Sequence, residues 1–167
     1  MESLKIEGKR GFIHKANKER SSESDLLRKS RIATILRKHF GLPCIFSGCI
    51  YMRDRLTNEI TFEYLDPYVP NLSKPEFWAQ YQINLPDIWV KSRTPQRIIE
   101  LDGPRHDPLD KKDLKRNENY ALGGFTEKAG TYVILNQYEE NLPEDEIVPI
   151  LSKKLLLQPI SLDKSTK

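Results

Sequence analysis

Residues 97 to 113, RIIELDGPRHDPLDKKD, gather Glu100, Asp102, Asp107, Asp110 and Asp113 around one histidine, His106. Carboxylates crowded in this way repel one another, and the repulsion is relieved either by taking up protons or by holding a hard cation between them. The order of residue types favours a built site. Ile98, Ile99 and Leu101 are strand formers, so 97 to 102 reads as a buried strand in which Glu100 and Asp102 share one face. Gly103 and Pro104 end the strand with turn chemistry, which brings His106 back within reach of Asp102. A second acid, Asp87, opens the short apolar strand PDIWV, residues 86 to 90. If the two strands are neighbours joined by the turn at 91 to 95, Asp87 faces Glu100. Two or three acids and an imidazole in one place suit metal-assisted hydrolysis, with histidine titrating near neutral pH as a proton acceptor.

Several elements must position these groups. Ser22 with Asp25 three residues on is a helix-start signal, and Leu26, Ile32, Ala33, Ile35, Leu36 and Phe40 fall on one side of a helix over 22 to 40. Gly41 and Pro43 stop it. CIFSGCIYM (44 to 52) and NEITFEYL (58 to 65) read as two strands of a hairpin. The segment 66 to 85, with Tyr68, Phe77, Trp78 and Tyr81, reads as an insertion over one sheet edge that includes a short helix in KPEFWAQY. A helix over 110 to 122 sets Asp113 near Arg116 and closes at Gly123 and Gly124. TYVILN, 131 to 136, is a buried strand reached by a crossover. A final helix capped by Asp145 runs to about 157, with Pro149 tolerated in its first turn. Residues 1 to 21 form a basic arm, 22 to 157 one α/β domain, and 158 to 167 a flexible tail.

Composition bounds the functional class. Apolar residues are 38% and charged residues 31% of 167, which fits a globular chain with a heavily charged surface. No apolar run approaches the length needed to span a bilayer, and the N-terminus lacks the apolar core of a signal peptide, so an intracellular location is expected. The net charge of +3 is unevenly spread. Residues 1 to 99 hold 17 Lys and Arg against 11 Asp and Glu, an excess of six cations, while residues 100 to 167 hold 10 against 13. A basic half beside an acidic motif suits a polyanionic substrate brought to a bound cation, although an ordinary solvated surface is the commoner cause of charge alone. Arg28, Arg31, Arg37 and Lys38 on the first helix, with Lys91 and Arg105 near the motif, are the candidate nucleic-acid contacts. Cys44 and Cys49, five apart in an extended segment, point to opposite faces too far apart for a disulfide, and so read as free, buried thiols.

The motifs PDIW (86 to 89), IIELDGPRHD (98 to 107), DLKR (113 to 116) and GGF followed by TYVIL (123 to 135) resemble the PD-(D/E)xK nuclease superfamily, in particular its very-short-patch-repair-like branch. That resemblance covers roughly residues 22 to 136. It implies a restriction-endonuclease-like fold, a central mixed β-sheet flanked by helices. It also implies a Mg²⁺-dependent DNA endonuclease in which Mn²⁺ substitutes, with Asp87, Glu100 and Asp102 as metal ligands. Where the superfamily carries a lysine as its third signature residue, this chain has Asp102, so His106 stands as the candidate base. Glu23, Asp113 and Arg116 are accessory candidates. Duplex DNA is the implied partner, and a homodimer is compatible with the family. The competing reading is an inactive nucleic-acid-binding module on the same fold.

Overall fold

A computed structural model describes residues 23–46, 48–64, 74–91, 95–101 and 111–160. The basic arm at 1 to 21, most of the tail, Asp102, Arg105 and His106 lie outside the described residues, as do 65–73. The described chain is mixed α/β, with two sheets and helices on both sides of the larger one. Its elements are α1 (Glu23–Phe40), β1 (Cys44–Ile45), β2 (Cys49–Asp54), β3 (Ile60–Tyr64), α2 (Pro75–Gln80), β4 (Tyr81–Asn84), β5 (Ile88–Val90), β6 (Arg97–Leu101), α3 (Lys111–Leu122), β7 (Tyr132–Leu135), α4 (Gln137–Glu140) and α5 (Glu144–Leu155).

The larger sheet has the order β1-β5-β6-β7. Strands β5 and β6 pair antiparallel, with Ile88 opposite Ile99 and Val90 opposite Arg97. Strands β6 and β7 pair parallel, Ile99 opposite Val133 and Leu101 opposite Leu135, the crossover being α3. The sheet is therefore mixed, and its strands are short apolar runs because both faces are covered. Ile88, Val90, Ile99, Leu101, Val133 and Leu135 pack on one face against Ile32, Ile35, Leu36 and Phe40 of α1 and Ile147, Leu151 and Leu155 of α5. The alternate residues Ile98 and Tyr132 meet Tyr51, Tyr120 and Phe125 on the opposite face. Period-two alternation in β6 thus sends Ile99 toward α1 and α5, and Glu100 toward α3.

Helix α1 ends as its sequence dictates. Gly41 adopts φ 64°, and the amides of Gly41 and Leu42 return to the carbonyls of Arg37 and Leu36. Helix α3 closes at Gly124, φ 94°, with the amide of Phe125 bonded to the Tyr120 carbonyl. Among the described residues no helix is long and apolar enough to cross a membrane.

Three local expectations are corrected. The stretch 44 to 52 is two strands, because Gly48 at φ 67° turns the chain so that β1 joins β5 in one sheet while β2 joins β3 and β4 in the other. The stretch 66 to 85 contributes more than a helix: Tyr81–Asn84 hydrogen-bonds along β2, with Met52 opposite Ile83. Pro149 is the sixth residue of α5, beyond its first turn. Its missing N–H leaves the carbonyl of Asp145 to solvent, which is affordable because both residues are exposed. Cys44 and Cys49 are both free thiols, Cys49 buried and Cys44 only partly so. Burial pushes the Cys44 thiol up to about 12, against the opposing charge of Arg37.

Candidate metal centre

Helix α3 fixes the chemistry of Glu100 by laying an aromatic over it. The Tyr120 hydroxyl donates to Glu100 Oε1 at 2.9 Å, and neither side chain reaches solvent to any extent: Glu100 is 4% exposed and Tyr120 fully buried. One turn before Tyr120, Arg116 sets its positive charge toward Glu100 and pairs with Asp113 at 3.5 Å. The Tyr132 hydroxyl donates to Asn117 at 2.6 Å, so the β7 side of this wall is also tied to α3.

The antiparallel register that puts Ile88 beside Ile99 continues one residue outward to put Asp87 beside Glu100. Asp87 Oδ2 accepts the Leu101 amide at 2.7 Å, which fixes its carboxylate at the end of β6. Burial, then the negative charge of Asp87 and the close approach of the two carboxyl groups, push the Glu100 carboxyl well above its ordinary range. Arg116 and the Tyr120 hydroxyl pull the other way without prevailing. Two like charges facing each other in a covered pocket either share a proton or hold a cation.

The donor set suits one hard cation. Magnesium takes one or two carboxylates and keeps several waters, and Asp87 with Glu100 supplies two oxygen ligands on adjacent strands. Among the described residues no group of three His, Cys, Asp or Glu is placed to hold a metal ion. Asp102 and His106, the third ligand and the base expected from the sequence, lie outside the described residues.

Helix α1 meets this pair with Lys29, a residue the sequence reading passed over. Lys29 is 7% exposed, and its ammonium lies 2.9 Å from Asp25 and 3.6 Å from Asp87. The signal was present in the pattern: a lysine at 29 sits on the same helical row as Ile32, Ala33 and Leu36, and a cation on an apolar row requires a buried acid to face it. Glu23, the accessory candidate on this helix, is exposed in its first turn.

The basic residues expected to contact phosphate divide into distinct environments. Arg28 grips Glu140 through Nε and Nη2, each at 2.7 Å, and also reaches Asp25 at 3.1 Å. Arg31 donates to the carbonyls of Glu140 and Leu142. Lys38 pairs with Glu144 at 2.8 Å, beside His39 at the same distance. These three side chains tie α1 to α4 and α5. Arg37 is exposed, and Lys91 is exposed with its ammonium 5.7 Å above the Trp89 ring. Arg105 lies outside the described residues. The start of α3 adds exposed cations that the sequence reading had not chosen: Lys111, Lys112 and Lys115.

A cavity of about 360 Å³ lined by Met52, Glu63, Phe77 and Tyr81 among others belongs to the smaller sheet, and shares no lining residue with the acid pair. No protein-family model, curated protein or solved structure matches this chain.

Proposed function

We propose that this chain is a Mg²⁺-dependent DNA endonuclease of restriction-endonuclease-like fold, similar to the very-short-patch-repair-like branch of the PD-(D/E)xK nucleases, with Mn²⁺ able to substitute. The observation that carries this reading is the meeting of Asp87 and Glu100 at the end of β6, where burial and mutual repulsion favour a cation between them. A mixed sheet covered on both faces, with the acids at the exit of one strand, is compatible with that fold.

In this reading Asp87 and Glu100 would hold the ion, and Asp102 would supply a third or water-mediated ligand. The ion's chemistry is to lower the pKa of a bound water and to neutralise charge building on the phosphate. The chain's own groups do the rest. Tyr120 holds Glu100 in one rotamer, the Leu101 amide holds Asp87, and Arg116 keeps positive charge against the buried carboxylate. His106 accepts the proton from the attacking water, a contribution of about 10² to 10⁴ in rate.

The test is cleavage. Supercoiled plasmid and short labelled duplexes incubated with Mg²⁺, Mn²⁺ or EDTA should be cut only with metal, and Asp87→Asn and Glu100→Gln should abolish cutting while leaving the fold and metal-free DNA binding in place. Cutting that survives Glu100→Gln rejects the site. Tight binding without any cutting by the unmodified chain supports the alternative, an inactive nucleic-acid-binding module.

A further inference from the structure

An ammonium group is tolerated in a protein interior only beside carboxylates, and among the described residues Lys29 lies beside Asp25 and Asp87. Asp25, one turn earlier on α1, holds it at 2.9 Å and belongs to the same helix. Asp87 belongs to the acid pair, and Lys29 faces its Oδ1 at 3.6 Å. The other oxygen of Asp87, Oδ2, is engaged by the Leu101 amide. The oxygen that the backbone leaves open to a ligand is therefore the one Lys29 already faces.

We propose that Lys29 makes cation uptake at Asp87 and Glu100 depend on the substrate phosphate. This inference rests on the metal-dependent nuclease reading and specifies how that site is regulated. A divalent cation reaching Asp87 displaces the ammonium from Oδ1, since two cations sharing one carboxylate repel each other. The displaced ammonium then loses the negative charge of Asp87. A phosphate group drawn to the cation restores negative charge near the ammonium. Cation and phosphate each tighten the binding of the other, and by linkage they do so by the same factor. Asp25 tunes the exchange, because it competes with Asp87 for the ammonium.

Calorimetric titration of the full-length chain with Ca²⁺, alone and with a short DNA duplex whose integrity is checked on a gel, reads this coupling. The unmodified chain should bind Ca²⁺ about tenfold more tightly when the duplex is present. Lys29→Gln should bind Ca²⁺ alone about tenfold more tightly than the unmodified chain, and should lose most of the response to duplex. Asp25→Asn, which leaves the ammonium to Asp87, should bind Ca²⁺ alone more weakly. A purely structural lysine would shift both variants in the same direction. If Lys29→Gln does not fold, the weakening in Asp25→Asn decides the matter, and unchanged affinity there overturns the proposal. Ca²⁺ bound alike by all three chains removes the role of Lys29 but leaves the acid pair as a metal site. No Ca²⁺ uptake by the unmodified chain, with or without duplex, removes the metal site and with it this inference.

Discussion

Arg28 should behave as a strut within the fold rather than as a contact to DNA. Its guanidinium gives Glu140 two charge-assisted hydrogen bonds of 2.7 Å, and the Glu140 side chain is only 5% exposed, so the carboxylate depends on this partner. Losing one member of a fully buried pair costs about 3–5 kcal/mol, and an exposed pair contributes about 0–1 kcal/mol. Arg28 is 38% exposed and also has Asp25 to lean on, so solvent screens part of the interaction. A loss of about 2 kcal/mol for Arg28→Ala or Glu140→Ala follows, a fall in Tm of about 4–8 °C for a chain of this size. Urea denaturation of the two single variants and the double variant should yield a coupling of about 1–2 kcal/mol. The logarithmic salt dependence of duplex binding by Arg28→Ala should keep the slope of the unmodified chain. A coupling below about 0.5 kcal/mol together with a slope shallower by about one would show that Arg28 reaches a phosphate, and would refute the reasoning.

Other consequences follow from the same geometry. Glu100 has a folded-state pKa raised above its ordinary 4.5, so its contribution to stability is present below 4.5 and is lost as pH rises through the folded value. In EDTA, Glu100→Gln should therefore gain stability on the unmodified chain as pH climbs from 4.5 toward 8; a loss at pH 8 would mean that Arg116 and Tyr120 hold the group ionised. Glu144 runs the opposite way. Hydrogen bonds from Lys38 and then His39 depress it to about 2, so its contribution is present above 4.5 and disappears as pH falls toward 2, and Glu144→Gln should flatten the acid limb of the stability curve. At Gly123 an added Cβ would lie 2.1 Å from the Tyr51 hydroxyl and 2.5 Å from Ile60 Cδ1, and Tyr51 is fully buried and bonded to the Asn119 carbonyl. Gly123→Ala should cost about 1–3 kcal/mol by overpacking, and a Tm within a degree of the unmodified chain would contradict that. His106→Ala should reduce cleavage by about 10² to 10⁴ with partial recovery at higher pH; a loss of Ca²⁺ affinity instead would make His106 a ligand.

How much of this was legible in the sequence depended on whether the determining interaction was local. The span of α1 was readable because its stop is a glycine whose φ of 64° few other residues adopt, and its apolar row has helical spacing. The neighbouring of β5 and β6 was readable because a short turn between two apolar runs leaves little else for them to do. The split of residues 44 to 52 between two sheets was not, since a β-former run looks the same whether it pairs with one partner or two. Strand β4 was hidden for a different reason: YQIN alternates apolar and polar residues, with Tyr81 and Ile83 on the packed side, but four residues directly after a short helix are too brief a run to stand out, and the register of β2 holds them. Helix α4 was missed although Asn136 and Glu139 form a capping box, because a four-residue helix leaves no periodicity to detect.

The site divides along the same line. The pairing of Asp87 with Glu100 follows from strand register over a few residues, and so could be argued from spacing. The assignment of positive charge could not, because it depends on contacts between residues more than a hundred apart. Arg28 meets the Glu140 carboxylate at a separation of 112 residues, and Arg31 meets the backbone carbonyl of the same residue at 109. Counting cations on the exposed side of a helix treats each as available to a ligand, yet a helix early in a chain has later elements packed against its flanks. Here α4 and α5 place acids and carbonyls there. The excess of six cations in residues 1 to 99 therefore overstates the charge that α1 can offer to a polyanion. Toward the acid pair α1 offers Lys29 and, through its charge on Asp87, the already engaged Arg28; of the two, Lys29 is the buried one. Its burial is what gives it leverage. An ammonium shielded from water interacts with Asp87, and with any ion that Asp87 holds, far more strongly than an exposed arginine on the next turn could.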